Sequence, residues 1–200
     1  MKSVSDEFYV STDDGSYTHL DNGEECFYRM KKDGSKKYGG FVNYLLEALF
    51  GRSNLLNKDN KKITDKLQKY TTYGPQSLVG RYKFEDIAEV VTVGPLPMMW
   101  SIVNVMAGNG HYDPSSDYVP TIPKTLVSLN TIMVDGTGMC GGCRVRIYNP
   151  KKKKFETKFT CVDGPVFNGH CVDFESIMRR TRQYKPKEVE AVKYMEIVGW

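Results

Sequence analysis

Asp135, Cys140, Cys143 and Cys161 have the residue types and the spacing to hold metal. They sit in the run Asp135-Gly-Thr-Gly-Met-Cys140-Gly-Gly-Cys143, with the last thiol beyond an expected hairpin. Two thiols three positions apart on a glycine-rich loop can both turn inward, because glycine lets the backbone curl without Cβ clashes. Neighbouring amide N–H groups then offset the charge on sulfur. A third thiolate from the far end of a hairpin closes the cage. The spacing Asp-x4-Cys-x2-Cys…Cys imitates the plant-type iron–sulfur rule, with a carboxylate in the first place.

The residues alone leave other chemistries open. Cys140, Cys143, Cys161 and Cys171 would satisfy a structural zinc ion. A thioredoxin-like redox pair at Cys140/Cys143 fits less well, since that motif should open a helix and Cys143-Arg144-Val145-Arg146 heads into a strand. A Rieske centre needs two histidines, and only His170 is near. Unligated structural cysteines would not explain the glycine density.

The loop needs elements to position it. Two β-like stretches, Arg144–Tyr148 and Phe155–Thr160, are joined by Asn149-Pro150 and a lysine run, which spells a hairpin. Leu126–Leu129 leads in as a strand, and Ser176–Tyr184 reads as a basic helix or turn. Upstream, Phe8–Thr12 reads as a strand ending at Asp13-Asp14-Gly15-Ser16, a turn signal. Asp21–Lys37 is polar and reads as a surface insertion. Phe41–Phe50 is an amphipathic helix with Leu45, Leu46 and Leu49 on one face, stopped by Gly51. Ile63–Tyr70 is a short candidate helix. Val90–Val93 is an unbroken apolar run, as in a parallel sheet buried on both faces. Gly94-Pro95-Leu96-Pro97 and a helix over Met98–Met106 follow, the grammar of an α/β nucleotide-binding domain.

The whole chain sets bounds on these readings. Its 200 residues, 40% of them apolar and 12% aromatic, suffice for a packed core. The net charge of +4 can come from Lys151–Lys154, a solvated turn. Arginines and lysines are not interleaved with stacking aromatics, so nucleic acid is not expected as a partner. Met1–Asp14 has no apolar segment of a signal peptide. The apolar window Ala88–Gly108 is broken by Pro95 and Pro97, so no membrane span is expected. Five cysteines, four of them in the last third, suit metal binding in a cytoplasmic chain better than a secreted disulfide framework.

Asn130-Thr-Ile-Met-Val-Asp-Gly-Thr-Gly-Met-Cys-Gly-Gly-Cys-Arg-Val, with Phe159-Thr-Cys-Val-Asp-Gly-Pro-Val-Phe-Asn-Gly-His-Cys-Val-Asp-Phe, closely resembles the C-terminal module of a flavoprotein group. That group holds the small (alpha) subunit of NADH-dependent ferredoxin:NADP oxidoreductase, also called the sulfide dehydrogenase beta subunit. The dihydroorotate dehydrogenase electron-transfer subunit is a relative within the same ferredoxin reductase-like superfamily. The resemblance implies a [2Fe–2S] cluster on Asp135, Cys140, Cys143 and Cys161, and so favours iron–sulfur over zinc. It also implies NAD(H), with Thr12-Asp-Asp-Gly-Ser-Tyr17 similar to the family's acidic turn and Val93-Gly-Pro-Leu-Pro-Met-Met99 similar to the motif beside the nicotinamide. Asp13 or Asp14 would then meet ribose hydroxyls and disfavour a 2′-phosphate. Gly94, Pro95 and Met98 would lie by the ring.

There are departures from the family pattern. No G-x-G-x-x-G occurs, and the FAD barrel would precede Ser3. The chain therefore looks like the C-terminal part of such a subunit, with FAD bound by the complete protein. The expected fold is α/β: a partial NAD-binding reductase domain with a parallel sheet over residues 1–129, interrupted by insertions at about 18–38, 52–82 and 108–124. A small β-rich [2Fe–2S] module over 130–184 and a tail over 185–200 complete it. The expected function is an iron–sulfur electron-transfer subunit of a flavin- and NAD(P)H-dependent oxidoreductase, with a partner oxidoreductase subunit and an FAD-binding portion or chain. The rival is a zinc-binding interaction module without redox activity.

Overall fold

The computed structural model describes residues 25–31, 33–50, 70–107 and 123–198, and of the first 24 residues Glu7, Tyr9, Ser11, Thr12, Asp14, Ser16, Thr18 and His19. Asp13, Tyr17, Gly51 and the expected helix up to residue 69 lie outside the described residues. The chain forms two compact units. One takes most of residues 1–90, 97–112 and 120–125; the other takes 91–96, 113–119 and 126–200.

In the first unit, β1 (Tyr28–Lys31), β2 (Lys36–Tyr38) and β3 (Tyr70–Gly74) form an antiparallel sheet in the order β2-β1-β3. The stretch 21–37, expected to be a polar surface insertion, thus contributes strands. The reason is its apolar kernel: Cys26, Phe27 and Tyr28 are buried within a charged frame. Gly74 is required there, since a Cβ would stand 2.2 Å from the Tyr28 ring.

Helix α1 (Val42–Leu49) buries Leu45, Ala48 and Leu49 against Phe27 and Leu78. Leu46, expected on the same face, is only half-buried, and Ala48 takes its place. The turn after Leu78 and the residues beyond it close the helix end, with the N–H of Gly80 on the Ala48 carbonyl at 2.8 Å and that of Tyr82 on the Leu49 carbonyl at 3.0 Å. Tyr9, Ser11 and Thr12, inside the expected first strand, are not in a strand.

β4 (Glu89–Val93) runs through Gly94-Pro95 into α2 (Leu96–Met106), so the expected strand–turn–helix forms. The expected burial of both strand faces does not: Val91 is 62% and Val93 69% exposed, while Thr92 between them is buried. Among the described residues nothing covers that face, because side chains alternate across a strand and only one set meets a packing partner. β4 neighbours β5 (Lys124–Ser128), which pairs antiparallel with β8 (Val166–Asn168). Where a parallel sheet is expected, β5 and β8 run antiparallel, in a mixed α/β chain of small sheets.

The second unit is built on the hairpin of β6 (Arg144–Asn149) and β7 (Lys154–Phe159), in register Arg144↔Phe159 to Asn149↔Lys154. Asn149 sets the turn, its side-chain oxygen accepting from the N–H groups of Lys151 (3.1 Å) and Lys152 (3.2 Å). Short helix α3 (Thr160–Asp163) follows at once. Helix α4 (Phe174–Arg182) is capped by Asp173, which accepts from the Ser176 N–H at 2.9 Å and pairs with Arg146 on β6 at 3.1 Å. Phe174 and Ile177 are its buried face. The tail forms α5 (Lys185–Val198), which leaves Val189, Val192, Tyr194, Met195 and Ile197 exposed. No helix among the described residues is long and apolar enough to cross a membrane.

Candidate metal centre

Between β5 and β6 the chain crosses residues 129–143 without helix or strand. Side-chain-to-backbone bonds hold this loop instead. The Asp135 carboxylate accepts from the N–H of Thr137 at 3.0 Å and of Cys140 at 2.6 Å. These two amides keep the carboxyl well below the usual range, at about 2. The Cys140 sulfur, exposed, accepts from the Gly142 N–H at 3.3 Å. Gly138 has φ of 83°, and a Cβ there would meet a Val162 methyl at 2.9 Å. So the loop packs on α3, the helix that carries Cys161.

The hairpin does the rest. Cys143 immediately precedes β6, and Thr160 immediately follows β7, so the ladder brings them opposite each other. The Thr160 N–H (3.1 Å) and hydroxyl (3.0 Å) both donate to the Cys143 carbonyl. The Cys143 and Cys161 sulfurs end 3.1 Å apart, with Cys143 buried and Cys161 half-buried. That is well beyond the ~2.05 Å of a disulfide; both thiols are free. The two thiols are hydrogen-bonded. The Cys161 backbone N–H and then its thiol pull Cys143 below the ordinary thiol value. The bond to Cys143, then burial, push Cys161 up.

The four expected ligands therefore fall into two pairs, Asp135 with Cys140 and Cys143 with Cys161. Among the described residues no three His, Cys, Asp or Glu side chains surround one point that would hold a single ion. Cys171, the fourth thiol of the zinc alternative, lies on the 3-10 turn Gly169–Cys171, where burial raises its thiol. It joins no such group. Three sulfurs and one carboxylate are donor types that suit iron or zinc.

Sequence reasoning missed two residues at this site. In sequence Thr160 is the end of a strand, and its place directly before a cysteine at the foot of a hairpin is a usable signal. Arg180 was read as part of a basic helix, and nothing local could reveal that it reaches back to the loop. The other expected site is less developed. Asp14 is exposed and accepts from the Ser16 N–H at 3.0 Å, as a turn residue does. Pro95 is exposed, and Gly94 and Met98 are half-buried.

Comparison with known proteins bears on this segment first. Residues 130–173 match the family of the iron–sulfur cluster binding domain of dihydroorotate dehydrogenase B. An uncharacterised protein in the adh 3′ region of Clostridium beijerinckii is 56% identical over 70 residues, 35% of this chain and 21% of that protein. The dihydroorotate dehydrogenase B (NAD(+)) electron transfer subunit homolog of Thermotoga maritima is 52% identical over 74 residues, 36% of this chain and 24% of that protein. The match thus spans about a quarter or less of these relatives. A chain of the NADH-dependent reduced ferredoxin–NADP oxidoreductase structure, solved for insight into flavin-based electron bifurcation, is 37% identical. It covers 52% of this chain and 30% of its own, at a TM-score of 0.36, below the level of a shared overall fold.

Proposed function

We propose that this chain is an iron–sulfur electron-transfer component of an oxidoreductase, because residues 130–173 match the family of the iron–sulfur cluster binding domain of dihydroorotate dehydrogenase B. Asp135 and Cys140 would hold one iron of a [2Fe–2S] cluster, and Cys143 and Cys161 the other. Bound there, such a cluster supplies one-electron exchange. The chain's own residues bind, orient and shield. The Thr160–Cys143 bonds fix the spacing of two ligands, and the Gly142 N–H lowers the charge density on the Cys140 sulfur, which raises a reduction potential. Exposure of Cys140 leaves an edge open to a redox partner.

The wider proposal follows the family. Asp13 or Asp14 would meet the ribose of NAD(H), and Gly94, Pro95 and Met98 would lie by its ring. FAD would be held by another portion or chain, and a partner oxidoreductase subunit would exchange electrons with the cluster in the cytoplasm. Residues 1–129 would serve the nucleotide and 130–184 the metal.

The single observation that carries the reading is the 3.1 Å approach of the Cys143 and Cys161 sulfurs at the open end of the hairpin. The test is metal analysis of the full chain prepared without oxygen. Iron and acid-labile sulfide in about equal amounts, with a one-electron paramagnetic signal on reduction, are expected. Zinc alone, or no metal, would sink the proposal.

A further inference from the structure

Arg180 lies on α4, outside the matched segment 130–173, and reaches back to the metal loop. Its Nη1 donates to the Arg144 carbonyl at 2.5 Å and its Nη2 to the Gly142 carbonyl at 3.0 Å. Those carbonyls belong to the residues on either side of Cys143. One rigid guanidinium fork thus spans the turn that presents this thiol. Since N–H and carbonyl point oppositely across a planar peptide, pinning the Gly142 carbonyl also sets the direction of the Cys143 N–H. On the other side Thr160 holds the Cys143 carbonyl. Arg144 adds a bond of its own, its Nη1 donating to the Gly141 carbonyl at 3.1 Å.

The charge balance is as informative as the geometry. Among the described residues Arg180 has no carboxylate partner, since Asp173 pairs with Arg146. The two bonds to the carbonyls flanking Cys143 hold this partly buried cation beside the turn that presents the thiol. Two irons, two sulfides and four anionic ligands carry net negative charge, and reduction adds one more.

We infer that Arg180 is a positioning residue for the metal centre: it fixes the Cys143 turn and raises the reduction potential of a cluster bound there by standing as a permanent cation beside it. The inference rests on the ligand role proposed for Cys143, and the experiment separates the two. The full chain and the variants Arg180→Gln, Arg180→Lys and Arg179→Gln are reconstituted with iron and sulfide, then titrated for midpoint potential and examined by electron paramagnetic resonance. Arg179 is an exposed control on the same helix.

Arg180→Gln should make reduction about tenfold less favourable, a downward shift of ~59 mV for one electron, and release iron to a chelator faster. Arg180→Lys should recover most of the potential while keeping the faster release, because it restores the charge without the fork. Arg179→Gln should match wild type. Wild-type potential, spectrum and release rate in Arg180→Gln would overturn the inference while leaving the cluster intact. If Arg180→Gln holds no iron, Arg180→Lys decides. Iron retained near the wild-type potential, or lost with the far-ultraviolet helix signal unchanged, supports the positioning role. Iron lost together with that signal overturns it. A wild-type chain that takes up zinc alone removes the cluster reading itself, and this inference with it.

Discussion

Thr160 gives both its backbone N–H and its hydroxyl to the carbonyl oxygen of Cys143, at 3.1 and 3.0 Å. The side chain of Thr160 is fully buried, and its neighbour in sequence is Cys161. A single residue therefore ties one candidate ligand to the backbone of another. The ladder fixes the strands, and the residue just past its end fixes the two cysteines.

Thr160→Val keeps the shape and removes the hydroxyl bond. The Cys143 carbonyl retains the amide bond, so the expected loss is modest, about 1 kcal/mol. Urea unfolding of the metal-free chain measures it. No change would mean that the hydroxyl contributes nothing to the clamp.

Cys161→Ser and Cys171→Ser separate the two metal assignments. Cys161→Ser should lower iron content and bleach the visible absorption of reconstituted protein, whereas Cys171→Ser should leave both near wild type. Equal losses from the two variants would favour a site built on four cysteines. Chelation of the metal should also lower the unfolding midpoint, because a ligand that binds only the folded state stabilises it.

Gly138 and Gly136 both have left-handed backbone, at φ of 83° and 72°. An alanine at Gly136 would meet open space, and so pays only the backbone term of about 1 kcal/mol. An alanine at Gly138 adds the approach to Val162 at 2.9 Å. Gly138→Ala is therefore expected to destabilise more than Gly136→Ala, by thermal or urea unfolding, and adding Val162→Ala should recover the difference. Equal losses at both glycines would show that the loop does not press on α3 in solution.

Glu156 tests the electrostatics of the hairpin away from the ligands. Lys152, at 2.8 Å, and then Asn149, at 3.1 Å, hold its carboxyl below the ordinary glutamate value. A depressed folded-state pKa stabilises above the unfolded value and is lost as pH falls through the folded one. The folded chain should thus lose stability below about pH 4.5, the ordinary glutamate region. Glu156→Gln should show a smaller drop in urea midpoint between about pH 6 and about pH 3. An identical drop would assign the acid sensitivity to other carboxylates.

The sequence by itself determined the local chemistry. The run from Asp135 to Cys143 declares a loop, because glycines at 136, 138 and 141 take the left-handed backbone that other residues avoid. Alternation and Asn149-Pro150 declare the β6–β7 hairpin, and Gly94-Pro95 declares the turn into α2. These features depend on neighbours in sequence, which is why they were legible. Tertiary structure alone decided the rest. Whether Val91 and Val93 are covered depends on what packs there, and an apolar run cannot say. The strands inside 21–37 form because Phe27 finds α1 and Leu78, partners distant in the chain. The approach of Cys143 to Cys161, and of Arg180 to Gly142 from 38 residues away, follows from where the hairpin and α4 end. Spacing along the chain permits such convergence, but only the packing of those elements brings it about.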